Sequence, residues 1–324
     1  MYSQSELKEL VDKAIANMPF SSEAEKLTDP VKYILSIGGK RLRPVLALMT
    51  CNLFKDKIDE AIIPATGLEI FHNFTLVHDD IMDQASVRRS FPTVHIKWNL
   101  NQAVLSGDVM AFIANECFLQ SPPNIMSKVL RAYNKAAVEV CIGQQADMDF
   151  EKAAFVSNDE YMRMIELKTA ALLAAAARIG AILGEADEKN SELLYEFGRN
   201  LGLAFQIQDD MLDVYGDSMI FGKISGGDIA SNKKTFLHVK AMEIATGSQL
   251  KSLQEQFQTK GPDTEAKVKT VMDIYDQLNI KTITENLAND FITKSLEYLE
   301  KVVADPKRKK GLHQLALSLV GRSK

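Results

Sequence analysis

Proline and glycine are scarce in this chain, at 9 and 17 of 324 residues, which removes the punctuation that many short strands and turns require. Cysteine is scarcer. Cys51, Cys117 and Cys141 are scattered and fall in no metal-ligand spacing, which argues against a disulfide framework or a zinc site and suits a reducing, cytoplasmic compartment. No apolar run approaches the length of a membrane span. The first residues, MYSQSELKELVDKAIANM, are amphipathic and lack a signal-peptide core, so a soluble protein is expected. An excess of positive charge is also missing. Lys and Arg number 38 against 43 Asp and Glu, for a net charge of −5, which argues against nucleic acid as the main partner.

Helix fills the space that these absences leave. The chain is 46% hydrophobic, enough for a large core, and its long stretches rich in Ala, Leu, Glu and Lys show helical spacing. We expect helices over Ser3–Asn17, from a capping box at Ser22-Glu23-Ala24-Glu25 to Ile37, over Val45–Leu53, Asn101–Leu119, Ile125–Asp149 and Asp159–Leu183, and through the last hundred residues. No interdomain linker or low-complexity segment interrupts them. The expected fold is all-α: a single domain over residues 1–324, built as a helical bundle around a central cavity.

The stretch Ala61–Arg89 organises the rest. It is an apolar helix that ends in acid, with Asp79, Asp80 and Asp83 closing a run rich in Leu, Ile, Phe and Val. Asp79 and Asp83 share a helical face, with His72 and Thr75 on the turns below. Two carboxylates on one face repel, and hard divalent cations such as Mg²⁺ or Mn²⁺ relieve that repulsion. Arg88 and Arg89 follow, and paired guanidiniums suit phosphate. A solvated, acidic helix end would look the same. The device, however, occurs twice: Asp209, Asp210 and Asp213 repeat the Asp-Asp-x-x-Asp pattern after a second apolar helix. There Gly198, Gly202, Gln206, Asp209 and Asp213 form a stripe with almost no apolar side chain, which suggests a lined cavity with room beside the glycines. Two such clusters imply several divalent ions and a polyanionic ligand.

Further basic features fit a polyanion. Gly38-Gly39-Lys40-Arg41-Leu42-Arg43-Pro44 places a basic cluster on a glycine turn at a helix start, a plausible phosphate site. Lys168 sits on an apolar stripe, and Thr169 beside it has a hydroxyl that can back-bond to the helix and bend it. A loop rich in glycine and lysine follows the second acid cluster, from Phe221-Gly222-Lys223 to Asn232-Lys233-Lys234-Thr235.

Taken together, GGKRLRP at 38–44, HDDIMD at 78–83, Arg88-Arg89 before Pro92-Thr93, GQQAD at 143–147, Lys168-Thr169, FQIQDDMLD at 205–213, Gly222-Lys223 and Asn232–Thr235 occur in an order that resembles the trans-prenyl diphosphate synthases of the polyprenyl synthetase family. One departure is Ser90, where that family usually has glycine after the arginine pair. The resemblance implies an isoprenoid-synthase-like fold, a homodimer, and a prenyltransferase that joins an allylic diphosphate to isopentenyl diphosphate with Mg²⁺. By the same resemblance, Asp79, Asp83 and Asp209 hold the ions, supported by Asp80, Asp210 and Asp213. Gln144 and Asp147 back that ion network. Arg88, Lys168, Lys223 and Lys233 help bind the allylic diphosphate, while Lys40, Arg43, His72 and Arg89 form the isopentenyl diphosphate pocket. Thr169 and Gln206 face the reacting carbons. A basic end (Arg322, Lys324) closes over the isopentenyl site. Phe74, five residues before Asp79, limits elongation above the small Thr75, so a product of fifteen to twenty carbons is expected, with Phe71 as an alternative plug. The competing readings are a longer-chain synthase, a class I terpene cyclase, and a non-catalytic subunit, which would tend to lose the aspartates kept here.

Overall fold

The computed structural model describes residues 2–20, 24–216, 226–258 and 264–320. The chain is all-α, as its composition implies. Contacts gather its helices into two compact units: residues 1–135, 175–195 and 302–312 form one, and residues 136–174, 196–301 and 313–324 the other.

The first unit holds α1 (Gln4–Ala16), α2 (Glu25–Ser36), α3 (Leu42–Cys51), α4 (Asp59–Met82), α5 (Val94–Lys97) and α6 (Leu100–Leu119). Ser3 starts α1 through a reciprocal capping box with Glu6, which satisfies two otherwise orphaned amides. At α2, residues 21–23 of the expected capping box lie outside the described residues, and Ala24 stands at the cap with no side-chain bond. Pro30 lies inside this helix and has no N–H for the Lys26 carbonyl. That carbonyl accepts from the Gln102 side chain of α6 instead, and the Leu27 carbonyl accepts from Ser106 at 3.0 Å.

Helix α4 is the spine of this unit, and α6 runs antiparallel along it. Two glycines permit the approach. A Cβ on Gly67 would stand 2.9 Å from Cys117 Cβ and 3.0 Å from the Ala114 carbonyl, and one on Gly107 would strike the His78 ring. Phe71, buried on α4, meets Tyr133 edge-on at 5.2 Å, and Tyr133 packs in turn on Phe118 at 4.3 Å. After α4 the chain makes a small hairpin, β1 (Val87–Arg88) and β2 (Phe91–Pro92). Its connecting residues Arg89 and Ser90 both have positive φ, 52° and 68°. That is the backbone of a two-residue hairpin turn, for which glycine is the easy choice.

The second unit contains the later part of α7 (Pro123–Lys152), α8 (Asn158–Ile165), the start of α9 (Ala171–Leu183) and most of α10 (Glu188–Tyr215). It continues with α11 (Gly227–Ala230), α12 (Phe236–Ile244), α13 (Gly247–Gln258), α14 (Thr264–Gln277) and α15 (Ile280–Lys301), followed by the latter half of α16 (Pro306–Val320). One core joins Tyr161, Ile165, Leu203, Ile207, Phe236 and Ala288, and a second joins Leu237, Leu253, Val271, Tyr275 and Ile280. Between α8 and α9, the segment expected as one helix is interrupted by a π turn over Glu166–Ala170.

Candidate active site

In the first unit, α4 divides its three acids between two tasks. Asp80 faces inward and is 1% exposed. Its carboxylate accepts from Arg88 Nε at 2.9 and 3.0 Å and from Nη2 at 2.7 Å. Burial pushes the Asp80 pKa up, against the opposing pull of Arg88. Asp79 is half-buried and Asp83 exposed. They lie one turn apart on a different face, with the Asp83 N–H bonded to the Asp79 carbonyl at 2.8 Å. Arg88 therefore anchors the hairpin to the helix, and only its Nη1 takes no part in the pair.

The glycine turn before α3 holds the second arginine. Gly38 and Gly39 have φ of 81° and 150°, and a Cβ on Gly39 would lie 2.7 Å from Arg89 Nη1. Arg89 donates to the Gly38 carbonyl, and a side chain at Gly39 would have to push this guanidinium aside. Arg41, the N-cap of α3 with φ of 49°, is buried and held by Asp12 (2.9 Å), Glu69 (2.9 Å) and the Leu35 carbonyl (2.8 Å). Its neighbours differ: Lys40 is exposed and Arg43 half-buried. His72 is kept neutral, its pKa pushed well down by burial and then by the charges of Arg43, Arg89, Arg88 and Arg41. Arg43 and Arg89 thus stand near enough to His72 for their charges to act on it, with Lys40 on the adjoining loop.

The second unit contains a polar pocket of about 440 Å³, open mouth included, whose walls include Asp147, Tyr161, Lys168, Thr169, Gln206, Asp228 and Lys233. The π turn sets two of these side by side. Gly143 of α7 and Gly202 of α10 both pack against its backbone: a Cβ on either would fall within 3.0 Å of main-chain atoms of Lys168 or Ala170. The space beside Gly202 is thus filled by the π turn, not left for a ligand. Thr169 does not back-bond to its own helix as the sequence reading allowed. Its hydroxyl donates to Gln206 Oε1 at 2.7 Å, and Gln206 Nε2 donates to Asp210 Oδ1 at 2.9 Å. Tyr161 and the Phe236 N–H (3.0 Å) donate to the other oxygen of Asp210. At 3% exposed, Asp210 has a pKa pushed up to about 7, because burial outweighs its three donors.

Asp213 accepts from the Asp228 N–H at 2.8 Å and so holds the start of α11. Asp209 is half-buried on the same helix. Lys168 pairs with Asp147 at 2.5 Å. Lys233 is exposed at the pocket wall, whereas Lys223, Arg322 and Lys324 lie outside the described residues. Tyr161 escaped the sequence reading, although it stands seven residues before Lys168 and so shares its helical face.

Phe74 is half-buried, 5.4 Å from Phe71 and 4.8 Å from His78 between ring centroids. The Thr75 hydroxyl bonds back to the His72 carbonyl at 2.8 Å. Phe71 has the core role already described, which leaves Phe74 as the more open of the two rings.

The sequence profile of the polyprenyl synthetase family matches residues 24–275. The chain belongs to that family. A geranylgeranyl diphosphate synthase from Methanosarcina mazei is 35% identical over 318 residues, covering 96% of this chain and 94% of its own. A short chain isoprenyl diphosphate synthase from Methanocaldococcus jannaschii is 38% identical, covering 90% and 81%. Among solved structures, the geranylgeranyl pyrophosphate synthetase of Pyrococcus horikoshii superposes with a TM-score of 0.92 at 35% identity, covering 98% of both chains. The expectation of a prenyltransferase with an isoprenoid-synthase fold is borne out. For this family member, the geometry adds that the middle carboxylate of each acidic cluster is committed within the protein.

The donor set fits Mg²⁺. Among the described residues no three His, Cys, Asp or Glu side chains stand close enough to hold an ion alone. Mg²⁺ usually takes one or two carboxylates and completes its octahedron with water and phosphate oxygens, and Asp79 with Asp83, or Asp209, offers that number of hard oxygens.

Proposed function

We propose that this chain condenses an allylic diphosphate with isopentenyl diphosphate to give an all-trans prenyl diphosphate of fifteen to twenty carbons. The observation that carries this reading is the parallel division of both Asp-Asp-x-x-Asp clusters. Asp80 and Asp210 are buried and fully engaged, and Asp213 holds the start of α11, whereas Asp79, Asp83 and Asp209 are half-buried or exposed, as acids that meet a metal must be. Asp79, Asp83 and Asp209 then bind Mg²⁺, which supplies the positive charge that makes diphosphate a competent leaving group. Lys168, Lys233 and Arg88 add positive charge to the allylic diphosphate, joined by Lys223. Lys40, Arg43, His72 and Arg89 bind isopentenyl diphosphate, and neutral His72 donates one hydrogen bond among guanidiniums.

Thr169 and Gln206 face the allylic carbons. With its proton given to Gln206, the Thr169 oxygen presents lone pairs to the cation left by ionisation, a fixed dipole that needs no reorganisation. The double bond of isopentenyl diphosphate attacks that cation. A proton is then lost to the released diphosphate, since the carboxylates here are engaged or committed to metal. Phe74 forms the floor against the growing tail. The names of the relatives, geranylgeranyl and short-chain synthases, favour the upper end of the range.

Residues 1–324 serve as one catalytic domain, a reading supported by a family match that spans residues of both units. We place the protein in the cytoplasm, a reading supported by three cysteines that form no disulfide; no helix among the described residues is long and apolar enough to cross a membrane. Its partner is a second copy of itself. Leu105, Phe112 and Leu119 lie at seven-residue steps on α6 and are exposed, Phe112 by 70%, as a helix seam awaiting a partner would be. Chromatography of products from the purified protein with isopentenyl diphosphate, an allylic diphosphate and Mg²⁺ tests the function. Elongated diphosphates up to twenty carbons support it, whereas a cyclic hydrocarbon, a product of forty carbons or more, or no product contradicts it.

A further inference from the structure

Lys267, on α14, is 8% exposed, and neither the fold nor the proposed chemistry accounts for a lysine there. Burying an ammonium is costly unless polar groups replace its water. Among the described residues its compensation is modest: Lys267 Nζ donates to Asn232 Oδ1 and stands 5.3 Å from the Phe257 ring centroid. Burial pushes its pKa down. A methionine would fill the same volume at less cost, so what distinguishes the lysine is the hydrogen bond it gives.

That bond reaches a hinge. Asn232 follows α11 with φ of 63°. Its N–H bonds to the Ile229 carbonyl at 3.2 Å, and the Lys233 N–H bonds to the Asp228 carbonyl at 2.8 Å. This is the pair that ends a helix through a left-handed residue. The turn throws the chain outward, so that Lys233 and Lys234 reach the pocket wall. Its other end is fixed by Asp213, whose carboxylate and carbonyl accept from the Asp228 and Gly226 amides at 2.8 and 2.7 Å. Lys234 is tied to the Phe150 carbonyl. The side chain of Asn232 is thus the handle by which the left-handed turn before Lys233 is held, and Lys267 grips it.

We propose that Lys267 is a positioning residue that acts through Asn232 to set Lys233 for the allylic diphosphate, without touching substrate itself. The inference rests on the prenyl-transfer reading above. It separates Lys267 from ordinary packing, because packing does not discriminate between the two substrates. Lys267→Met keeps the volume and removes the donor, Lys267→Arg keeps a donor, and Asn232→Ala removes the acceptor.

The test combines steady-state kinetics on these variants with calorimetric binding of geranyl S-thiolodiphosphate and Mg²⁺, a probe that resists ionisation. Lys267→Met and Asn232→Ala should each raise the KM for the allylic substrate and weaken probe binding about tenfold, the scale of one lost hydrogen bond. The KM for isopentenyl diphosphate should stay within about twofold, and Lys267→Arg should recover most of the loss. In a Lys233→Ala background, Lys267→Met should change nothing further. Equal rises for both substrates, or a full effect that persists without Lys233, overturns the inference. Wild-type protein that binds no probe overturns the functional reading and this inference with it, whereas probe binding that ignores Lys267 overturns the inference alone.

Discussion

Arg41 and Lys40 are adjacent cations with opposite fates. Arg41 is 4% exposed, between Asp12 and Glu69, and removing one member of a buried pair leaves an uncompensated charge. Arg41→Ala should cost about 3–5 kcal/mol in denaturant unfolding. Lys40→Ala should leave stability unchanged within about 0.5 kcal/mol and raise the KM for isopentenyl diphosphate; equal unfolding midpoints for the two variants would contradict this. His238 gives the pH dependence. It is buried against Phe257, ring centroids 3.8 Å apart, and its pKa is pushed down to about 3 by burial, then by Lys234 and Lys267. Between that value and the ordinary 6.5, the unfolded chain binds a proton that the native chain refuses. The His238 contribution is therefore fully present above about pH 6.5 and falls on acidification, by up to about 1.4 kcal/mol per unit, against an opposite slope from Asp210, whose raised pKa lets the native chain take up a proton below about 7. His238→Phe keeps a ring on Phe257 and should flatten this acid limb in denaturation series run across it; an unchanged slope would show that His238 is not its source.

The π turn and the hairpin are the elements on which the site is mounted. Main-chain atoms cannot yield as a flexible side chain can, so a methyl at Gly143 or Gly202 must displace the π turn. Either Gly→Ala variant should lose about 2 kcal/mol or more and lose turnover as Lys168 and Thr169 shift. A fully active, equally stable Gly143→Ala would refute the fit. At the hairpin, Ser90→Gly removes a left-handed strain of about 1 kcal/mol and should raise the unfolding midpoint; a lower midpoint would contradict the strain. The acidic clusters and Lys168-Thr169 were legible in the sequence because they fall on helical periods. The π turn was not, since one extra residue per turn stays within the scatter of an Ala-rich apolar stripe. The family resemblance set Lys40 and Arg43 apart from Arg41, but the residue pattern alone could not say why, because the carboxylates that claim Arg41 lie 29 and 28 residues away. Ser90 hid the hairpin, whose usual signal is glycine.

At the scale of the whole molecule the proposed labour is divided: Asp79, Asp83 and Asp209 for Mg²⁺, Asp80, Asp210 and Asp213 for the protein. The same scale governs assembly. Phe112→Glu should turn a dimer into a monomer by light scattering, and an unaltered dimer would move the interface elsewhere. It also governs product length, where Phe74→Ala should lengthen the products and an unchanged distribution would place the floor elsewhere. The central claim is tested most directly by turnover of wild type, Asp79→Ala and Asp209→Ala with both diphosphates across a Mg²⁺ titration. The account predicts condensation that stops in chelator and falls by about three orders of magnitude or more in either variant, with the fold intact by circular dichroism. Condensation that persists in chelator, or near-normal turnover of either variant at saturating Mg²⁺, would contradict it.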